Sequence, residues 1–346
     1  MNGPHSSNPV EIRHGSGTTA VIHTGYGFNC TSFTVATPDG PVDLIWSVPD
    51  FGPDRPPMLS GIPVLFPFGG RLVGNTFRWQ GTEYTITDGI IEGGSAIHGL
   101  VLNRPWRVLE EIGDRVVGEF QASIDDPALL SQWPADFRIT MAYEVTATAL
   151  TCDIVIDNPD QLPLPYGFAT HGYYRTPLGQ GDGEACELTV PASSRWVLDD
   201  NAIPTGEIRP VEPELDLRKS SPINGRQFNT VYTDLATDAD GSVNCLVRDP
   251  AAGRSIRINM DGGFREVVVW NPPHREAIAI EPYTCVVTAF DVEERGYESG
   301  LRVLAPGQSD TLRLTIELVT DDRTSSSVTQ RRTAGMGLGP RLTHAR

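Results

Sequence analysis

Short runs of alternating apolar and polar residues recur along most of this chain, separated by clusters rich in glycine, proline, asparagine and aspartate. TSFTVAT (31–37), VDLIWSV (42–48), FRITMAYEV (137–145), LTCDIVID (150–157) and RSIRINM (254–260) place side chains alternately on two faces, as strands do. EVVVWN (266–271), EAIAIEPY (276–283) and DTLRLTIEL (310–318) read the same way, and FRWQGTEYTI (77–86) reads as hairpin arms. Helical periodicity is nearly absent, with PALLSQW (127–133) the best short window. Many strands at close spacing predict an all-β fold, a large antiparallel β-sandwich. The expected division is a flexible leader over 1–8, one sandwich domain over 9–320 and a disordered basic tail over 321–346.

Composition narrows the partners. The chain carries 27 basic and 44 acidic residues, a net charge of −17. Five arginines and no acid lie beyond residue 322, so the rest is more acidic still. Such a body repels nucleic acid and anionic membranes, which leaves neutral small molecules as the easier partners. No apolar run reaches the length of a membrane helix. The polar N-terminal stretch has no hydrophobic signal region, so a cytoplasmic location is expected. The five cysteines are scattered and form no C-x-x-C pair, which argues for core packing in a reducing compartment. The phosphate-loop, zinc-protease and nucleophile-elbow motifs are missing.

Candidate chemistry lies where ionisable groups sit inside apolar, strand-like surroundings. In AIAIEPYT (277–284), Ile278 and Ile280 share one face, and Ala277, Ala279 and Glu281 the other. Small alanines leave room beside the carboxylate, and a pocket there would raise its pKa toward that of a general base. Glu281 reads equally as a solvent-facing residue at a strand end. His171, in FATHGYYR, and His98, in AIHGL, are candidate ligand contacts or core histidines bonded to backbone. Arg71, in GGRLVG, is a candidate clamp for hydroxyls or a surface arginine. Tyr173, Phe264 and Trp270 are candidate stacking platforms for a ligand, or core aromatics.

Taken in order, FPFGGR, IHG, PYGFATHGYYR, IPTGEIRPV, LDLR and IAIEPYT resemble the aldose 1-epimerase, or galactose mutarotase, family from about Val21 to Leu318. The resemblance implies a galactose mutarotase-like supersandwich that interconverts the α and β anomers of a free aldose. It implies Glu281 as catalytic base and His171 as catalytic acid, with His98, Arg71 and Asn229 binding the sugar. Two positions depart from the family pattern: Gly70 stands where asparagine is frequent, and Asn229 where aspartate is usual. The implied partner is a monosaccharide, and the implied chemistry needs no cofactor or metal. It puts an ionised Glu281 at the O1 proton and a protonated His171 at ring oxygen O5, with rotation about C1–C2 before reclosure. Rival readings are a hexose-6-phosphate 1-epimerase, for which Arg71, Arg104 and Arg175 could form a cationic patch, and a non-catalytic carbohydrate-binding protein. A two-carboxylate glycosidase is a further alternative. The oligomeric state is not set by any of these features.

Overall fold

The computed structural model of the chain describes residues 9–91 and 93–321. The expected leader over 1–8 and nearly all of the expected tail over 321–346 lie outside the described residues. Two large antiparallel sheets dominate. A nine-stranded sheet runs in the order Ser221–Pro222, Glu187–Thr189, Val243–Asp249, Arg254–Met260, Ser309–Thr320, Ala149–Asp157, Arg138–Val145, Arg115–Gln121, Arg107–Ile112. An eight-stranded sheet runs in the order Pro204–Pro210, Ala192–Leu198, Asn229–Leu235, Glu266–Trp270, Ala277–Tyr283, Ala169–Thr170, Val64–Leu65, with Gly172–Arg175 also paired to Ala277–Tyr283. A four-stranded sheet built from Val10–Arg13, Thr19–His23, Asn29–Val35 and Val42–Asp43 completes the main framework.

One continuous apolar core joins the sheets. Ile154, Ile156, Ile256, Ile258, Leu314 and Ile316 come from the nine-stranded sheet, and Tyr232, Val267, Val269, Ile278 and Ile280 from the eight-stranded one. Each such aliphatic side chain contributes about 1.5–3 kcal/mol by leaving water. Register is therefore tightly specified: a one-residue slip of Ala277–Tyr283 would turn Ile278 and Ile280 out of the core and drive Glu281 into it.

Most strand expectations coincide with observed strands, and the mostly antiparallel all-β class is what the chain adopts. The hairpin Thr76–Trp79 and Thr82–Thr85 turns at Gln80 and Gly81, with φ of 48° and 81°, the paired left-handed geometry a tight two-residue turn demands. VDLIWSV differs. Only Val42–Asp43 is a strand, because the backbone then changes partners residue by residue: Leu44 N–H donates to the Phe33 carbonyl and Trp46 N–H to the Tyr173 carbonyl. The PALLSQW window holds a 3₁₀ turn, Pro127–Ser131, with proline in its first turn where the missing N–H costs nothing. The helix Ala289–Glu294 had no counterpart among the expectations. All five cysteines are free and buried.

Candidate active site

The strand Ala277–Tyr283 lies at the centre of the eight-stranded sheet, covered on both faces. Its Ile278 and Ile280 enter the main core, while Glu281 and Tyr283 project from the opposite face. On one side the strand pairs with Glu266–Trp270, which sets Val268 opposite Glu281 and Trp270 opposite Ala279. On the other, the partners Gly172 with Ile280 and Ala169 with Tyr283 bracket His171, so the register sets it beside Glu281. His171 N–H donates to the Pro63 carbonyl at 3.0 Å, which pins the backbone between the two short strands. Segments more than 100 residues apart thus deliver an imidazole and a carboxyl to the same point, with His171 Nε2 at 3.3 Å from Glu281 Oε1.

Two loops supply the opposite wall. His98 N–H donates to the Gly70 carbonyl at 2.8 Å, and Arg71 bridges to Ile97. His98 has a φ of 62°, and the next residue must be glycine: a Cβ on Gly99 would lie 2.2 Å from the Phe66 carbonyl oxygen. Gly70 has a φ of 69°, and a Cβ there would lie 2.7 Å from Val287. The amide frequent at this position in the family therefore has no space here.

Seven of the eight candidate site residues singled out from the sequence line one cavity of about 270 Å³: His171, Glu281, His98, Arg71, Asn229, Tyr173 and Trp270. Asn229 and Trp270 are cross-strand partners at its mouth. Tyr173 stacks on the His171 ring at 4.7 Å between centroids, and its hydroxyl donates to the Met58 carbonyl, so the ring serves as a wall. Trp270 meets His171 edge-on at 5.8 Å. Phe264 is different: it packs against Phe168 in the core and does not line this cavity, which removes it as a stacking platform.

Tyr283 was not anticipated. Its hydroxyl donates to Glu281 Oε2 at 3.1 Å, leaving Oε1 toward His171. The period of two that put Ala277, Ala279 and Glu281 on one face extends to residue 283 and carried that signal. The apolar side of the cavity, with Val231, Val268, Val287 and Leu198, was not anticipated either.

Electrostatics alters the expected protonation. Burial pushes the Glu281 carboxyl up to about 8, only partly opposed by the Tyr283 hydrogen bond. Burial also pulls His171 down to about 4. His98 is held well below the ordinary value by burial first, then by His171 and Arg71. At neutral pH burial thus favours a carboxylic acid beside a neutral imidazole, the reverse of the ionised glutamate and protonated histidine that the resemblance implies. The pair still holds one transferable proton.

This arrangement defines a mutarotase-like β-sandwich with a buried carboxyl–imidazole pair in a cavity of monosaccharide size. The chain belongs to the aldose 1-epimerase family, whose pattern matches residues 9–317. In structure it resembles a galactose mutarotase-like protein from Clostridium acetobutylicum, with TM-score 0.78, 19% identity and coverage of 88% of this chain and 93% of that one. It also resembles galactose 1-epimerase from Lactobacillus acidophilus NCFM, with TM-score 0.69, 13% identity and coverage of 93% and 98%. In sequence it is 24% identical to the Escherichia coli K12 protein YihR over 242 residues, 69% of this chain and 74% of that protein.

Proposed function

We propose that the protein is an aldose 1-epimerase acting on free, unphosphorylated aldoses, with Glu281 and His171 as its proton-transfer pair. The observation that carries this reading is the contact of 3.3 Å between these two groups inside a cavity that fits one sugar ring. O1 and O5 are bonded to the same carbon, so two adjacent groups can serve them. In the proposed opening step one member of the pair gives its proton to O5 as C1–O5 breaks. The other takes the O1 proton as C1=O1 forms. Starting from the state burial favours, Glu281 donates and His171 accepts, which leaves carboxylate and imidazolium. After rotation about C1–C2 these groups run the transfers backwards and restore the starting state. Each positioned group supplies about 10² to 10⁴ in rate.

Among the described residues, the three arginines considered for the phosphorylated-sugar reading are not gathered at the cavity. Arg104 is held by Asp88 at 3.0 Å and Asp126 at 2.9 Å, and Arg175 by Asp43 at 2.8 Å. Of the three arginines considered, Arg71 alone lines the cavity, and it also donates to the Asn201 carbonyl at 3.1 Å. Polarimetry of freshly dissolved α-glucose and α-glucose 6-phosphate tests the assignment. The wild type is expected to accelerate the first far more than the second, and Glu281→Gln to lose the acceleration while still binding sugar. Near-wild-type turnover by Glu281→Gln would remove the carboxyl from the mechanism.

A further inference from the structure

The hydrogen-bonding groups of the cavity are unevenly distributed. Glu281, His171, His98 and Tyr283 gather at one end, where the anomeric oxygens react in the reading above. The neighbouring surface is hydrocarbon. Val268 lies directly opposite Glu281 across the strand pair, on the side away from His171, and Val231 lies opposite Val268. Val287 stands against Gly70, and all three valines are nearly closed to solvent, with exposures of 7%, 3% and 9%. Among the described residues, Arg71 and Asn229, both exposed toward the mouth, and the indole N–H of Trp270 remain as side-chain partners for the other substrate hydroxyls, and none of them belongs to the valine surface. A full aldohexose carries hydroxyls at C2, C3, C4 and C6. Any hydroxyl turned onto the valine wall is stripped of water and gains no partner there, whereas a methyl or methylene is stabilised by leaving water.

We infer that the substrate turns a deoxygenated carbon to the wall formed by Val231, Val268 and Val287, so that the favoured substrate class is a deoxy-aldose. The two carbons nearest the reacting centre that can meet this description are C2, as CH₂, and the C5 substituent, as methyl in place of hydroxymethyl. The inference rests on the epimerase reading and deepens it.

The test compares kcat/KM for anomer exchange, after subtraction of the spontaneous rate, within matched pairs. D-glucose against 2-deoxy-D-glucose examines C2; D-galactose against D-fucose examines the C5 substituent. The deoxy member of at least one pair is expected to be favoured by about tenfold or more. The pair showing the preference identifies the carbon at the wall. Val268→Thr and Val287→Thr put a hydroxyl on the wall with little change of shape, and each is expected to narrow the preference. The two lie on different segments, so loss of folding in one leaves the other decisive. Equal or better turnover of the parent hexose in both pairs overturns the inference and leaves the epimerase reading intact. A preference unchanged in both threonine variants also overturns it. Absence of exchange with all four sugars overturns both.

Discussion

Replacing Tyr283 by phenylalanine isolates one hydrogen bond to the reacting carboxyl. The hydroxyl donates to Glu281 Oε2 at 3.1 Å, and both residues are almost fully buried, at 2% exposure each. A hydrogen bond to a charged acceptor is worth about 1.5–3 kcal/mol. At about 1.4 kcal/mol per pKa unit, its loss corresponds to a rise of roughly one to two units in the pair's higher pKa. The sign follows from the donor: it stabilises carboxylate over carboxylic acid, so removing it raises a value already pushed up to about 8 by burial. The proposed chemistry requires exactly one proton on the pair. Wild-type kcat/KM should therefore rise with pH through about 4 and fall through about 8, as the pair's two apparent values. In Tyr283→Phe the alkaline limb should move up by one to two units and the acid limb stay in place. The retained ring still packs against Gly69, whose absent Cβ would lie 2.4 Å from Tyr283. Anomer exchange measured across pH, with the spontaneous rate subtracted, reads both limbs. An alkaline limb that stays or moves down refutes the assignment of Tyr283 as the group that tunes Glu281.

Two further outcomes test the scaffold. Glu266 is fully buried and lies opposite Tyr283, and burial pushes it up to about 7 from 4.5. Thr233, the Arg265 guanidinium 3.5 Å from Oε1 and Trp196 offset part of that rise, but no hydrogen bond of normal geometry reaches either carboxylate oxygen. The folded chain holds a proton that the unfolded chain has released, so stability falls as pH rises from 4.5 to 7, by about 3 kcal/mol in all. Glu266→Gln is therefore expected to raise the melting temperature at pH 8 relative to wild type and to give little gain near pH 4; an equal gain at both values would contradict the burial argument. Gly99 and Gly74 both have positive φ, 84° and 71°, but a Cβ on Gly74 meets nothing within 4 Å while one on Gly99 collides with the Phe66 carbonyl. Gly74→Ala should cost about 1–2 kcal/mol in denaturant unfolding, and Gly99→Ala distinctly more; equal losses would show that the close approach at residue 99 is relieved cheaply.

Much of this geometry was already visible in local pattern. The alternation of AIAIEPY fixed which face Glu281 takes, because two buried isoleucines leave it only the other. The close approaches at Gly70, Gly99 and Gly172 become explicit only in the structure, where a Cβ would meet Val287, the Phe66 carbonyl and the Tyr174 ring. Long-range pairing was not legible from the residues alone. Nothing near residue 171 says that it will stand beside residue 281, since that follows from the pairing of Gly172–Arg175 with Ala277–Tyr283. The placement of His98 and Arg71 beside them came from family resemblance, with no short-range signal of its own. The valine wall escaped notice because Val231 and Val268 look like ordinary strand residues until the cavity above them is seen. VDLIWSV failed as a strand because periodicity does not reveal which chain will accept its hydrogen bonds.

Exchange NMR at anomeric equilibrium tests the central claim most directly, since it detects interconversion with no net reaction. The wild type should raise the α-to-β exchange rate of a free aldose in proportion to enzyme concentration, and both Glu281→Gln and His171→Asn should return it toward the buffer rate while the sugar still binds. Wild-type protein that binds the sugar and leaves exchange at the buffer rate would show that the buried pair, 3.3 Å apart, moves no proton of the substrate.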